Sequence, residues 1–202
     1  KRDCNIRFGS SNYSCYSYYQ EGTKIYKKFM ECFEYLSYAA VINDEYFCVH
    51  GGISQYLKAI DDISELYKPM ISADLELATD LVWSDPCRDS YGFTPSNRGA
   101  GHYFDDAKLN KFLFKNGLKK LIRSHESCMN GVDYPLDNCI TIFSNTDYCG
   151  MNNKAAVINI RQDSDETDPS PSDDPEDSYA LNVSDDNSNN GKDEDDSLKI
   201  EV

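Results

Sequence analysis

The chain has 202 residues, 35 of them acidic and 20 basic, for a formal net charge of −15. Hydrophobic residues make up 40% of it, enough for one core, yet no run approaches the ~20 apolar residues of a membrane span. No basic, aromatic-rich patch marks a nucleic-acid surface, and residues 163–202 hold fifteen Asp and Glu against two Lys, which leaves the rest close to neutral.

The first legible element is a helix over residues 24–36, where Ile25, Phe29, Phe33 and Leu36 fall on one stripe. Residues 39–42 and 46–49 flank Asn43-Asp44-Glu45 and read as a β-hairpin. The second of these strands runs into His50-Gly51-Gly52-Ile53-Ser54. Its glycine pair reads as a turn that needs positive φ. Leu81-Val82-Trp83-Ser84-Asp85-Pro86 follows. Trp83, the only tryptophan, reads as core, and Ser84-Asp85-Pro86 as a turn. Asn97-Arg98-Gly99-Ala100-Gly101-His102-Tyr103-Phe104 is a loop segment. Asp105 suits the N-cap of a helix over 106–115, with Leu109, Phe112 and Leu113 facing inward and Gly117 ending it. Residues 118–123, 139–143 and 155–160 are three further apolar strands, the first running into Ser124-His125-Glu126.

Two of the three histidines, His50 and His125, therefore stand where an apolar strand meets its loop. A strand end holds a side chain in a fixed direction, and neutral imidazole is a common metal ligand. Each histidine alone reads first as a hydrogen-bonded structural residue, and His102 lacks the setting. The company of the other blocks changes that weighting.

The blocks are His50-Gly51-Gly52, Trp83-Ser84-Asp85-Pro86, the Arg98 loop, Arg123-Ser124-His125-Glu126 and Ser144-Asn145-Thr146-Asp147-Tyr148-Cys149-Gly150. In this order they resemble the C-terminal half of the catalytic domain of metal-dependent protein serine/threonine phosphatases, the group of type 1, type 2A and calcineurin. The resemblance spans about residues 4–160. It implies an α/β fold, the calcineurin-like metallophosphatase β-sandwich flanked by helices, present as its C-terminal half. It implies two divalent metal ions (manganese, or iron and zinc) that activate a water for attack on phosphoserine or phosphothreonine. His50 and His125 match the two histidines that ligate one of those ions. Arg98 matches an arginine that grips the phosphate, a task for which a planar guanidinium is suited. Tyr148 matches a tyrosine beside the metals, and Asp85 an acidic residue near the substrate cleft. The implied partners are phosphoprotein substrates and regulatory subunits, not nucleic acid or membrane, and the implied location is the cytoplasm or nucleus.

Three further motifs of that group, GDxHG, GDxxDRG and GNHE, do not occur here. They supply carboxylates that bridge the metals, so the chain reads as a fragment that is inactive alone. Asp147 stands where the group usually has an amide, which places negative charge where a phosphate must approach. That change motivates the alternative of a pseudophosphatase that binds phosphoproteins or regulators without turnover. A phosphodiesterase relative with the same chemistry is a third reading.

The expected division is a phosphatase portion over residues 1–161 and an acidic, disordered tail over 162–202. The tail is Asp, Ser, Asn and Pro with little to bury, so its ordering entropy has nothing to offset it. The eight cysteines show no metal-finger spacing, and Cys48 and Cys139 read as small buried hydrophobes. Strands that lack their usual neighbours should leave an apolar face exposed.

Overall fold

The structure, a computed structural model, describes residues 4, 7, 15–69, 75–161 and 199–201. It opens with helix α1 (Cys15–Phe33) and the strands β1 (Ala39–Ile42) and β2 (Tyr46–Val49). Asn43 and Asp44 both take positive φ, 51° and 56°, and so close the hairpin tightly between them. A short helix α2 (Asp61–Ser64), helix α3 (Leu75–Trp83) and three brief strands follow, β3 (Asp85–Pro86), β4 (Phe93–Pro95) and β5 (His102–Phe104). Helix α4 (Asp106–Lys115) leads to β6 (Lys120–Arg123), β7 (Val132–Leu136) and β8 (Cys139–Ile142). A single 3₁₀ turn, Tyr148–Gly150, precedes β9 (Asn159–Arg161), which pairs antiparallel with β10 (Lys199–Glu201).

The main sheet runs β1-β2-β6-β8-β7. Its centre, β2, β6 and β8, is parallel, with β1 and β7 added antiparallel at either edge. Parallel strands present their carboxyl ends at one edge of a sheet, where their loops gather. That arrangement brings the loops after Val49, Arg123 and Ile142 together. β3, β5 and β4 form a second, three-stranded sheet that carries Asp85.

One core holds these parts. Phe47 and Val49 of β2, Leu121 of β6, Leu136 of β7 and Cys139 of β8 pack with Leu81 of α3, Phe104 of β5 and Leu109, Phe112 and Leu113 of α4. Phe47 meets Phe112 edge-on at 5.2 Å between centroids, a favoured aromatic geometry. Helix α4 begins where expected, because the Asp105 carboxylate accepts from the Lys108 amide at 2.9 Å. It ends at Asn116, just before Gly117 with φ +67°.

Several expectations need correction. The first helix starts at Cys15, nine residues before the apolar stripe signals it. Helix α3 was not legible, and neither were the strands of the small sheet. The strand expected over 155–160 is confined to Asn159–Arg161. Trp83 is not core: it is 42% exposed. Gly51 and Gly52 do not take positive φ, which among the described glycines occurs at others. They are glycines because a Cβ on Gly51 would lie 2.5 Å from the Val82 carbonyl carbon, and one on Gly52 would strike the Phe104 ring. The expected tail lies outside the described residues except for Lys199–Glu201, which forms β10.

The expected apolar exposure is present. Among the described residues β1 has a single hydrogen-bonded neighbour, and its Val41 and Ile42 are 37% and 38% exposed. Phe29, Phe33 and Leu36 of the predicted stripe are exposed as well.

Candidate active site

His50 directly follows β2 and His125 lies two residues past β6. The register pairs Cys48 with Ile122, so the two strands end level, and the Ser124 amide donates to the His50 carbonyl at 3.1 Å. The imidazoles then converge: His50 Nε2 and His125 Nδ1 are 3.2 Å apart across 75 residues of sequence. Two nitrogens each about 2.1 Å from one ion, at about 90–110° to one another, lie about 3.0–3.4 Å apart. The pair is thus spaced as two ligands of one ion would be.

Two more features suit a cation there. Burial, ahead of any neighbouring charge, pushes both histidines below their ordinary value of 6.5, which favours the neutral imidazole a metal needs. His125 has φ +68°, a left-handed backbone that a non-glycine residue adopts at a cost. Its Nε2, the ring nitrogen on the other side from the one that faces His50, is buried with no hydrogen-bond partner among the described residues. The donor set nevertheless stops at two: among the described residues no group of three or more His, Cys, Asp or Glu gathers to hold a metal. His50 and His125 fit part of a site that needs further ligands.

The indole of Trp83, at the end of α3, meets His125 edge-on at 5.4 Å between centroids. The Gly51 amide donates to the Leu81 carbonyl at 2.8 Å, which ties the His50 loop to the same helix end. The glycine at 51 makes that approach possible.

Next to the imidazoles stands a cluster of four charges. Asp85, 1% exposed, accepts from Arg98 Nε on Oδ2 at 2.6 Å and from Arg123 Nη2 on Oδ1 at 2.8 Å. Arg123 is itself 1% exposed, and it also donates to the Gly51 carbonyl, to Glu126 Oε2 at 2.6 Å and to Thr141 Oγ1 at 3.3 Å. A buried guanidinium is stable only with its donors met and its charge balanced, as here. Arg98 is different. Its side chain is 36% exposed, and Asp85 takes only its Nε edge. The hydrogen bond to Asp85 raises the guanidinium's already high pKa, so it stays charged.

The remaining residues singled out in the sequence fall as follows. Tyr148 sits on the loop after β8, packed edge-on against Phe143 at 5.3 Å and 44% exposed. That loop lies at the same sheet edge as the histidines, though no contact joins Tyr148 to them among those described. Asp147, with φ 47°, accepts from the Asn152 amide at 3.1 Å, which occupies one carboxylate oxygen within its own loop. His102 lies apart from the pair. Its Nδ1 is 2.7 Å from Asp80 Oδ1, and Asp80 Oδ2 accepts from Ser54 at 2.6 Å. Those bonds tie the His50 loop to α3 and β5. Arg123 was missed as a site residue; its only signal was a cation at the end of β6, directly after Leu121 and Ile122.

The site thus sets two imidazoles, their facing nitrogens 3.2 Å apart, beside a half-exposed guanidinium. Residues 4–129 match the family model described as calcineurin-like phosphoesterase. Over 140 residues the chain is 36% identical to a protein phosphatase 2A catalytic subunit of Dictyostelium discoideum, a match that covers 68% of this chain and 45% of that protein. It is also similar to the solved structure of a protein serine/threonine phosphatase from Saccharomyces cerevisiae with similarity to human phosphatase PP5. That likeness has a TM-score of 0.63 at 29% identity, over 78% of this chain and 49% of the other. The chain thus spans less than half the length of either relative. It belongs to the calcineurin-like phosphoesterase family.

Proposed function

We propose that the chain serves a protein serine/threonine phosphatase that hydrolyses phosphoserine and phosphothreonine, and that it supplies one half of the site. The observation that carries the reading is the convergence of His50 Nε2 and His125 Nδ1 at 3.2 Å beside Arg98. His50 and His125 would hold one of two divalent ions, with manganese, iron and zinc all suited to such a ligand set. When bound, the metals supply a water of lowered pKa and polarise the phosphoryl oxygens. Arg98 would grip the phosphate through the guanidinium edge that Asp85 leaves free. Asp85 and Arg123 position Arg98, and Tyr148 borders the site. Phosphoproteins are then the substrates, regulatory subunits the further partners, and the cytoplasm or nucleus the location. No helix of the described residues is long and apolar enough to cross a membrane.

The missing ligands make turnover by this chain alone unexpected. The test joins residues 1–161 to the part of the Dictyostelium relative that the chain does not match, and assays a phosphoserine peptide with manganese. Turnover by the chimera, abolished by His50→Ala, supports the proposal. A chimera that binds metal and phosphopeptide but does not turn over favours the pseudophosphatase that Asp147 suggested.

A further inference from the structure

We infer that Glu126 sets how tightly Arg98 can hold a phosphate, because its carboxylate neutralises the guanidinium with which the oxyanion must pair. The inference rests on the reading of Arg98 as the phosphate grip and adds the residue that limits that grip.

The charges alternate around the cluster. Asp85 joins Arg98 to Arg123 at 2.6 and 2.8 Å, and Glu126 joins them again, with Oε2 2.6 Å from Arg123 Nη1 and Oε1 3.7 Å from Arg98 Nη2. Two guanidiniums and two carboxylates leave no net charge. An anion approaching Arg98 therefore meets a neutral cluster instead of a basic cradle.

The four members are not equivalent. The side chains of Arg123 and Asp85 are 0% and 2% exposed, and each is the other's buried counter-ion. Removing either strands a charge in the interior. Arg98 and Glu126 are 36% and 38% exposed and face solvent together. Of the two carboxylates in the cluster, Glu126 is thus the one that an incoming phosphate encounters, and the one that can change without emptying the interior. Its Oε1 lies 3.7 Å from Nη2 of Arg98, the nitrogen beside the Nε that Asp85 takes. A phosphate oxygen seeking Nη2 must displace that carboxylate or bind against its repulsion.

Glutamine has the shape of glutamate and keeps an amide oxygen that accepts from Arg123, while it removes the charge. The experiment measures the dissociation constant of inorganic phosphate by equilibrium dialysis for the 202-residue chain, Glu126→Gln, Arg98→Ala and the double variant. At low salt Glu126→Gln is expected to bind phosphate about fivefold more tightly. The gain should shrink as salt screens these half-exposed charges. It should vanish in the Arg98→Ala background, since a purely structural role for Glu126 would not couple to Arg98 in this way. If Arg98→Ala binds phosphate as the parent does, the phosphate-grip reading itself fails. If Arg98→Ala weakens binding but Glu126→Gln leaves it unchanged or weaker, the inference about Glu126 is overturned. Should Glu126→Gln lose its fold by circular dichroism, Glu126→Asp, a methylene shorter and still an anion for Arg123, takes its place; a smaller gain is expected, and no gain overturns the inference.

Discussion

The Trp83 ring stands edge-on to His125, 5.4 Å between centroids and at 81° between planes. The sole tryptophan of the chain is therefore a built-in reporter of the paired histidines.

Manganese taken up between His50 and His125 should quench Trp83 emission, and EDTA should restore it. His50→Ala and His125→Ala each remove a nitrogen from the same site and should raise the apparent dissociation constant at least about tenfold. His102→Ala should change it much less, because that ring is bound to Asp80 and reaches the His50 loop through it. If His102→Ala proved the most damaging of the three, the site would lie elsewhere.

The pH dependence follows from burial, which depresses both His50 and His125 below 6.5. The unfolded chain takes up protons near 6.5 and the folded one only at lower pH. Stability linked to these rings is therefore present above 6.5 and is lost as pH falls from there through the depressed folded values. Metal binding should persist below pH 6.5 for the same reason. Proton NMR titration of the imidazoles checks this, and midpoints above 6.5 would contradict it.

Gly51→Ala puts a methyl group against the Val82 backbone, which cannot swing aside as a side chain can. A loss of about 1–3 kcal/mol in urea denaturation is expected, along with a weakened manganese response, since His50 is the adjoining residue. Gly99→Ala meets nothing within 4 Å and suffers only from its φ of +82°, so its cost should be about 1 kcal/mol. Equal effects at the two positions would argue against close approach as the reason for Gly51.

Asp105 caps α4 and also accepts from the Gly92 amide at 2.7 Å. Burial pulls its pKa upward, but the hydrogen bonds from Gly92 and Lys108 together outweigh this and leave it below 3.8. Asp105→Ala should cost about 1 kcal/mol or somewhat more at neutral pH. The carboxylate's contribution is present above pH 3.8 and is lost as pH falls through its lower folded value. The gap between parent and variant should therefore narrow in acid, as thermal unfolding at pH 7 and pH 3 would show.

Legibility in the sequence followed pattern length. β2 and β6 were readable because each carries apolar residues shortly before a histidine, and parallel pairing then made the two ends coincide. α4 announced itself through Asp105, its inward stripe and Gly117. The small sheet was hidden because its strands have two or three residues, too short for any alternation to register. Trp83, as the only tryptophan, reads as core, yet it stands half-exposed against the His125 ring. Asp85 was read as an acid near the substrate cleft, and the structure shows a buried brace between two arginines. Arg123's part in that cluster could not be read because three of its four partners, Gly51, Asp85 and Thr141, lie far from it in the sequence.

The open flank of β1 has a consequence for the chain in solution. A strand reading Ala-Ala-Val-Ile, bonded on one side only among the described residues, is a template for another strand. Two copies meeting there would each satisfy the other's backbone, and further copies could follow on other apolar faces. What opposes this is the excess negative charge carried by residues 163–202, since like-charged chains repel before their edges touch. The balance between the two is set by ionic strength. A preparation that stays clear at low salt should thicken into oligomers as salt shortens the range of that repulsion to about 10 Å near 0.1 M.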